Sequence, residues 1–173
     1  MELAQRCLDG DQSALREFVE SFQQQVFALC LKMLRHRQDA EDTAQESLLR
    51  AVRYLKSWDP NQPLTPWVLK IAANRCRTAL GKRNRTPIPT PVLTDAVADS
   101  PPAPLGLGEE LQIAIDQLAP NQRTCFVLYY HQELSITEIA GIMDVPEGTI
   151  KTWLHRSRKV LAQRLTERGL SPG

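Results

Sequence analysis

The chain has 173 residues, of which 42% are hydrophobic and 24% charged, and its formal net charge is +1. This balance excludes a wholly disordered chain and a membrane-embedded one, and the longest apolar run, residues 26–31, is far too short to cross a bilayer. The N-terminal residues contain no basic segment followed by an apolar one, so we expect no secretory signal and a cytoplasmic protein without membrane insertion.

The first part of the chain, residues 1–83, is predicted to be an all-helical domain. Apolar residues at helical spacing predict three long helices, at residues 13–36, 38–57 and 67–82. Residues 58–66, which prolines interrupt, are predicted to form a loop before the third helix. Six Lys or Arg and no acid lie between residues 67 and 85. Such a cationic segment is typical of a nucleic-acid contact.

A proline-rich segment divides the chain. Residues 84–108 contain six prolines separated by small and polar residues, so we predict an extended, flexible linker. The second domain is then residues 109–168, and residues 169–173 are a short tail. The fold class that follows is all-α, with two small helical domains joined by this linker.

The second domain ends in a predicted helix-turn-helix. Ser135 and Glu138 have the spacing of a capping box, which satisfies free backbone donors at the start of a short helix. Asp144 and Pro146 mark the following turn, since proline suits the first turn of the next helix but not its interior.

The last helix separates an apolar stripe from a basic face. Ile150, Leu154, Leu161 and Leu165 form the stripe. The opposite face has the side chains that contact bases and phosphates: Lys151, Thr152, His155, Arg156 and Lys159. Alone, this pattern also fits a solvated basic face on an ordinary core helix. The capped helix and turn directly before it favour DNA binding.

Other chemistry is not indicated. The four cysteines, at positions 7, 30, 76 and 125, have no neighbour at metal-ligand spacing, so we expect small core residues, with a redox switch as the alternative. We find no phosphate-binding loop, zinc-protease motif or nucleophile elbow. We therefore expect no metal, no cofactor and no enzymatic activity.

Four segments resemble bacterial sigma factors of the extracytoplasmic-function type. These are DAEDTAQESLLRA at residues 39–51, GDQSALREFVESF at residues 10–22, the loop and helix at residues 57–77, and residues 118–161. The resemblance implies a sigma region 2 helical bundle before the linker and a sigma region 4 helix-turn-helix after it. It also implies a subunit that directs RNA polymerase to promoters, with the linker passing near the polymerase cleft.

The resemblance assigns three groups of contact residues. The β′ clamp helices of core RNA polymerase would meet Asp39, Asp42, Gln45, Glu46, Leu49 and Arg50. The −10 element would meet Asn61, Gln62, Lys70, Asn74, Arg75, Arg77, Lys82 and Arg83. The −35 element would meet Thr149, Lys151, Thr152, Trp153, His155, Arg156 and Lys159.

Several of these assignments have alternatives. The acidic face of the clamp-binding helix also fits a solvated surface with a Glu46–Arg50 pair, worth about 0.2–0.5 kcal/mol. We expect Trp58 and Trp67 to be core residues rather than platforms for stacked bases. Gly81 departs from the family pattern, and because a glycine late in a helix costs up to about 1 kcal/mol, the sequence leaves an early end of this helix open.

Partners follow from the resemblance as well. We expect core RNA polymerase, through its β′ and β subunits, promoter DNA, and an anti-sigma factor that covers the binding faces. A stand-alone helix-turn-helix regulator, with a ligand-binding or dimerising N-terminal half, is the alternative function.

Overall fold

The computed structural model describes residues 2–85, 106–167 and Gly169, and its fold is all-α throughout that part of the chain. This confirms the predicted fold class of two helical units. Most of the predicted linker, residues 86–105, lies outside the described residues. Among the described helices, none is long and apolar enough to cross a membrane.

The N-terminal half is a bundle in which three long helices pack against one another and a short first helix packs on the second. Its elements are α1 (Glu2–Leu8), α2 (Gln12–Leu34), α3 (Arg37–Tyr54), a 3-10 turn (Leu55–Ser57) and α4 (Leu64–Arg85). The sequence did not predict α1. Only Ala4 and Cys7 of its seven residues are buried, and two positions are too few to establish a period.

Local signals start and end α2. The Asp11 carboxylate accepts hydrogen bonds from Ser13 N at 2.8 Å and Ala14 N at 3.3 Å, which caps the helix. Hydrogen bonds from the Ser13 hydroxyl and from Arg6 lower the pKa of Asp11 to about 2. At the other end Arg35 has a φ of 65°, the left-handed conformation that closes many helices.

Helix α4 does not end early at Gly81. The helix continues to Arg85, two residues into the predicted linker, and also begins earlier than predicted, at Leu64. Pro66 lies in its first turn, where a missing N–H costs little. Past the glycine, Arg83 Nη1 donates to Leu34 O of α2 at 3.1 Å, and this tertiary contact offsets the roughly 1 kcal/mol that glycine costs a helix.

The C-terminal half contains four helices, with α8 packed on the other three. They are α5 (Leu107–Asp116), α6 (Pro120–Tyr130), α7 (Ile136–Met143) and α8 (Glu147–Glu167). The predicted capping box is present, since Ser135 N donates to Glu138 Oε2 at 2.8 Å and Glu138 N donates to Ser135 Oγ at 3.2 Å. Asp144 ends α7 with a φ of 54°. The apolar stripe of α8 is buried at Ile150, Leu154 and Leu161, while Leu165 is half-buried.

The two halves pack against each other. Helix α4 contacts α7, and α2 contacts α6. One hydrophobic core runs across the contact, from Phe18 and Leu69 in the N-terminal half to Leu128, Ile139 and Ile150 in the C-terminal half. A flexible linker is compatible with either a packed or a separated arrangement of the halves, and the structure has the packed one.

All four cysteines are buried free thiols, which confirms the prediction that they are core residues. Cys76 Sγ lies 3.5 Å from Cys30 Sγ. Burial raises the pKa of Cys125 to about 12. A buried thiol with a raised pKa is poorly reactive, so the structure favours the core role over a redox switch.

Candidate polymerase and nucleic-acid interfaces

The predicted polymerase contacts on α3 divide into two groups. In the first, Asp42, Gln45 and Leu49 lie on the exposed side of the helix, and Leu49 is 63% exposed. Asp42 and Gln45 line a groove of about 670 Å³ between α2 and α3, whose apolar residues include Phe27 and Leu48. An exposed apolar side chain beside an acidic groove is able to receive an apolar and basic partner surface.

In the second group, Asp39, Glu46 and Arg50 are engaged within the protein. Arg75 Nη2 of α4 donates to Glu46 Oε2 at 2.5 Å, and Arg50 Nε donates to Glu46 Oε1 at 3.3 Å, so the predicted Glu46–Arg50 pair is present. Arg83 Nη1 lies 3.6 Å from Asp39 Oδ2. The hydrogen bond from Arg75 holds the pKa of Glu46 below its ordinary value. Asp39 and Glu46 therefore stabilise the contact between α3 and α4, while Arg50 pairs with Glu46 along α3 itself.

The predicted −10 contacts do not form one surface. Lys70, Asn74 and Arg77 share a stripe of α4, because they are spaced by four and three residues. Arg75 and Arg83 instead turn toward α3 and α2 through the contacts just described. The sequence could not separate these two sets, since both belong to the same cationic run.

The stripe of Lys70, Asn74 and Arg77, here called the α4 stripe, faces the C-terminal half. Lys70 Nζ donates to Asp144 Oδ1 at 2.7 Å and to Gly141 O at 2.8 Å, both in α7 or its cap. Arg77 Nη2 donates to Asn121 Oδ1 of α6 at 3.4 Å. In contrast, Lys82, beyond these contacts, is exposed.

The loop before α4 is held by Asp59. Its Oδ1 accepts from both Asn61 N and Asn61 Nδ2 at 2.9 Å, so the amide of this predicted base-reading residue is already paired. Gln62 is exposed and lines a cleft of about 280 Å³ between α4 and α7, together with Lys70. The structure thus brings Gln62, but not Asn61, beside the α4 stripe.

The two tryptophans that flank this loop differ in how deeply they are buried. Trp58 is 8% exposed and belongs to the hydrophobic core, which confirms the prediction for that residue. Its Nε1 has no hydrogen-bond acceptor within the described part of the chain. Trp67 is half-buried, packs against the same core and also lines the cleft with Gln62.

Helix α8 presents an exposed polar face. Lys151, Thr152, His155, Arg156 and Lys159 are all exposed. Among the described residues, no hydrogen bond or ion pair engages the side chains of His155, Arg156 or Lys159. Thr149 is half-buried near the start of the helix. The face is therefore free to meet an external polyanion.

Trp153 differs from the other predicted −35 residues. It is half-buried and packs against the hydrophobic core. On α8 it lies on the opposite side from His155 but on the same side as Arg156, one turn later, because successive helical residues turn by about 100°. Trp153 therefore packs in part within the protein, and its contact with the −35 element stays a prediction.

Arg158 makes a contact between α8 and α6 that the sequence pattern did not predict. Its Nε donates to Tyr130 Oη at 2.7 Å, and its guanidinium lies 5.8 Å and 6.0 Å from the ring centres of Tyr130 and Tyr129. Arg158 thus fastens α8 to the end of α6. The adjacent tyrosines indicate a possible partner for a cation, but no pattern in the sequence pairs them with an arginine 28 positions later.

Comparison with known proteins identifies the two halves. A family model described as Sigma-70 region 2 matches residues 18–86, and one described as Sigma-70, region 4 matches residues 108–161. A solved structure of the sigma factor RpoE with the anti-sigma factor NepR from Bartonella quintana has a TM-score of 0.70 and 24% identity. That match covers 87% of this chain and 96% of the other, and it shows a shared fold.

Curated relatives match over nearly the whole length. The ECF RNA polymerase sigma factor SigW of Bacillus subtilis (strain 168) is 32% identical over 172 residues, covering 91% of this chain and 92% of the relative. The ECF RNA polymerase sigma-E factor of Salmonella typhimurium (strain LT2) is 31% identical over 179 residues, covering 94% and 92%. With both sigma regions matched and this identity sustained along the chain, the protein belongs to the extracytoplasmic-function (ECF) sigma factors of RNA polymerase, which act in transcription initiation.

Proposed function

We propose that this sigma factor reads the −35 promoter element with α8 and the −10 element with α4 and the loop before it. The observation that carries the proposal is the exposed face of Lys151, Thr152, His155, Arg156 and Lys159, which has the side chains of a major-groove reading helix. A helix-turn-helix places the N-terminal part of its second helix against base edges, and this face lies there.

The N-terminal half is proposed to bind core RNA polymerase through α3. Asp42, Gln45 and Leu49 support this role best, because all three are exposed, and the first two border the groove with α2. The β′ clamp helices are the proposed partner, and the β subunit is the proposed partner of the C-terminal half. Asp39 and Glu46 then contribute by holding α3 on α4, and Arg50 contributes by pairing with Glu46 on α3.

The −10 role rests on Lys70, Asn74 and Arg77 together with Gln62. Cationic side chains follow the phosphates of a single strand, and a polar loop is able to read an extruded base. The two DNA contacts act together, because a tether raises the effective concentration of the second contact once the first has formed. Each half alone is therefore expected to bind weakly and with strong salt dependence.

Control by an anti-sigma factor is part of the proposal. Its support is the likeness in fold to RpoE bound to NepR and to CnrH bound to the cytosolic domain of CnrY, the latter with a TM-score of 0.70. An amphipathic protein segment that covers the exposed side of α3 would block polymerase binding. Undiminished activity in cells that lack every neighbouring regulator counts against such a partner.

A pull-down followed by DNA selection tests the proposal. The full chain is mixed with core RNA polymerase and a library of random duplexes, and bound fragments are sequenced. We expect a stable complex and two enriched elements at a fixed spacing. A chain that enriches one duplex element without binding polymerase would be a stand-alone regulator, and the proposal would be wrong.

A further inference from the structure

An acidic residue lies at the start of the cationic face of α8. Glu147 is the first residue of the helix and is exposed, one turn before Lys151. A carboxylate at this place repels the DNA phosphates that the neighbouring cations attract. General attraction to DNA therefore does not explain why an acid stands here.

Capping of α8 does not explain where this carboxylate lies. A capping carboxylate accepts hydrogen bonds from the backbone N–H groups of the first turn. Within the described part of the chain, no N–H of α8 donates to the Glu147 side chain. Thr149 N and Ile150 N instead donate to Pro146 O, at 2.9 Å and 3.4 Å. The carboxylate is thus directed away from the helix end.

A neighbouring helix holds the carboxylate in this direction. Thr137 Oγ1, in the first turn of α7, donates to Glu147 Oε1 at 2.7 Å. The bond joins the two helices of the helix-turn-helix across their turn. The Glu147 side chain is 47% exposed, and a side chain this exposed is ordinarily free to change rotamer. The threonine hydroxyl therefore selects one orientation of the carboxyl group.

The other carboxylate oxygen lies beside a proposed base contact. Glu147 Oε2 is 4.0 Å from Lys151 Nζ, which is too long for a hydrogen bond but close enough for attraction. The Lys151 side chain is 63% exposed. Oε2 and the ammonium group therefore both keep hydrogen-bonding capacity for an outside partner. An acceptor thus lies next to a donor at the N-terminal end of α8, where a helix-turn-helix meets base edges.

We propose that Glu147, positioned by Thr137, accepts a hydrogen bond from a cytosine of the −35 element and so makes one G·C pair a specificity determinant. Carboxylates accept from cytosine N4, and lysine donates to guanine O6 and N7. Cytosine N4 and guanine O6 of one pair are bonded to each other, so the pair presents a donor beside an acceptor. Glu147 Oε2 and Lys151 Nζ are the complement. This inference rests on the proposed −35 role of α8 and adds the base that Glu147 selects.

An A·T pair fits the same two groups poorly. Adenine has an N6 donor, but its N7 acceptor lies beside that donor and repels a carboxylate. Thymine has a single acceptor, O4, and places a methyl group beside the ammonium. The Glu147–Lys151 arrangement therefore favours G·C over A·T at the position that it contacts.

Selection of duplexes by the holoenzyme tests the base preference. Core RNA polymerase with the full chain, or with a variant, is mixed with duplexes randomised over the upstream element, and bound fragments are sequenced. In Glu147→Ala, one G·C position should lose about tenfold of its preference while the others keep theirs. Lys151→Ala should weaken the preference at the same pair. Glu167→Ala removes the same charge from an exposed position about 30 Å further along α8, and should change no position.

Two further substitutions separate base reading from stabilisation of the helix. Glu147→Asp keeps a negative charge in the first turn, where the helix dipole favours it, but its side chain is one methylene shorter. It should keep the Tm of the parent protein and lose the G·C preference. Thr137→Val removes the hydroxyl at similar volume and should reduce the preference by about threefold, the factor of a weak hydrogen bond. Thr137→Ser keeps the donor and should retain the preference.

Four results overturn the inference. They are a selected upstream element without a G·C pair, an unchanged preference in Glu147→Ala or Glu147→Asp, a loss spread over the whole element together with a lower Tm, and equal preferences of Thr137→Val and Thr137→Ser. In each case the parent holoenzyme still forms and enriches its elements, so the proposed function stands. A parent holoenzyme that enriches no upstream element removes the −35 role of α8 and the inference with it.

Discussion

Two acidic residues of α3, Asp42 and Glu46, should respond differently to charge reversal, although both belong to the predicted polymerase face. Among the residues that the structure describes, the Asp42 carboxylate accepts one exposed hydrogen bond, from Gln38 Nε2 at 3.2 Å. Glu46 joins α3 to α4 through Arg75 and also pairs with Arg50. Asp42→Arg therefore changes a surface, whereas Glu46→Lys also places a third cation beside two arginines.

The loss of unfolding free energy caused by Glu46→Lys lies between two limits. Exposed pairs are worth about 0.2–1 kcal/mol, and breaking a buried pair costs about 3–5 kcal/mol. Here the side chains are 25% exposed for Arg75 and 44% for Glu46, so solvent screens the pair in part. We expect a loss of about 1–3 kcal/mol, which for a chain of this size lowers Tm by about 2–12 °C. Asp42→Arg should stay within about 0.5 kcal/mol of the parent protein.

Thermal unfolding followed by circular dichroism gives the stability, and co-elution with core RNA polymerase gives the binding. Asp42→Arg should abolish co-elution at unchanged Tm. Glu46→Lys should lower both, and Glu46→Gln, which keeps one acceptor for Arg75, should fall between. Equal Tm for Asp42→Arg and Glu46→Lys would refute the separation of α3 into an exposed and an internally engaged group.

Three further predictions concern the helices and the contact between the halves. Lys151→Ala and Arg156→Ala should weaken duplex binding and reduce the slope of log affinity against log salt by about 0.9 for each lost phosphate contact. Co-elution with polymerase should stay unchanged, and a loss of co-elution would show a folding defect instead. Gly81→Ala should raise the unfolding free energy by about 0.5–1 kcal/mol, because the added Cβ meets no atom within 4 Å and alanine favours the helix; a lower denaturation midpoint would contradict this. Burial first, and the charge of Lys32 second, lower the pKa of His131 from its ordinary 6.5, so the neutral form is favoured in the fold. The neutral His131 side chain therefore contributes stability above about pH 6.5, and this contribution is lost as the pH falls below that value. In the His131→Gln variant, Tm should fall less steeply below pH 6.5 than in the parent protein. Equal slopes of Tm against pH in the two proteins would exclude the effect.

The elements that the sequence predicted well are those with local causes. The helix-turn-helix follows from Ser135, Glu138 and the turn at Asp144, all within a few residues of one another. The buried stripe of α8 follows from apolar residues that recur at helical spacing. Where prediction failed, a distant contact decided the outcome: α4 passes Gly81 because Arg83 reaches Leu34 on another helix.

The site was harder to predict than the fold. Charge and spacing indicated which residues are cationic, but not which cations are already paired inside the protein. Arg75 and Lys70 lie five positions apart in one basic run, yet the first meets Glu46 and the second meets Asp144. Both partners are distant in sequence, by 29 and 74 positions, and no local pattern connects them.

Run-off transcription by reconstituted holoenzyme tests the central claim most directly. Core RNA polymerase with this chain should initiate at defined sites on templates that carry the selected elements. Changing the upstream element, or introducing Arg156→Ala, should reduce initiation at those sites while the holoenzyme still forms. A holoenzyme that initiates at random positions, or a chain that does not join core polymerase, would contradict the account.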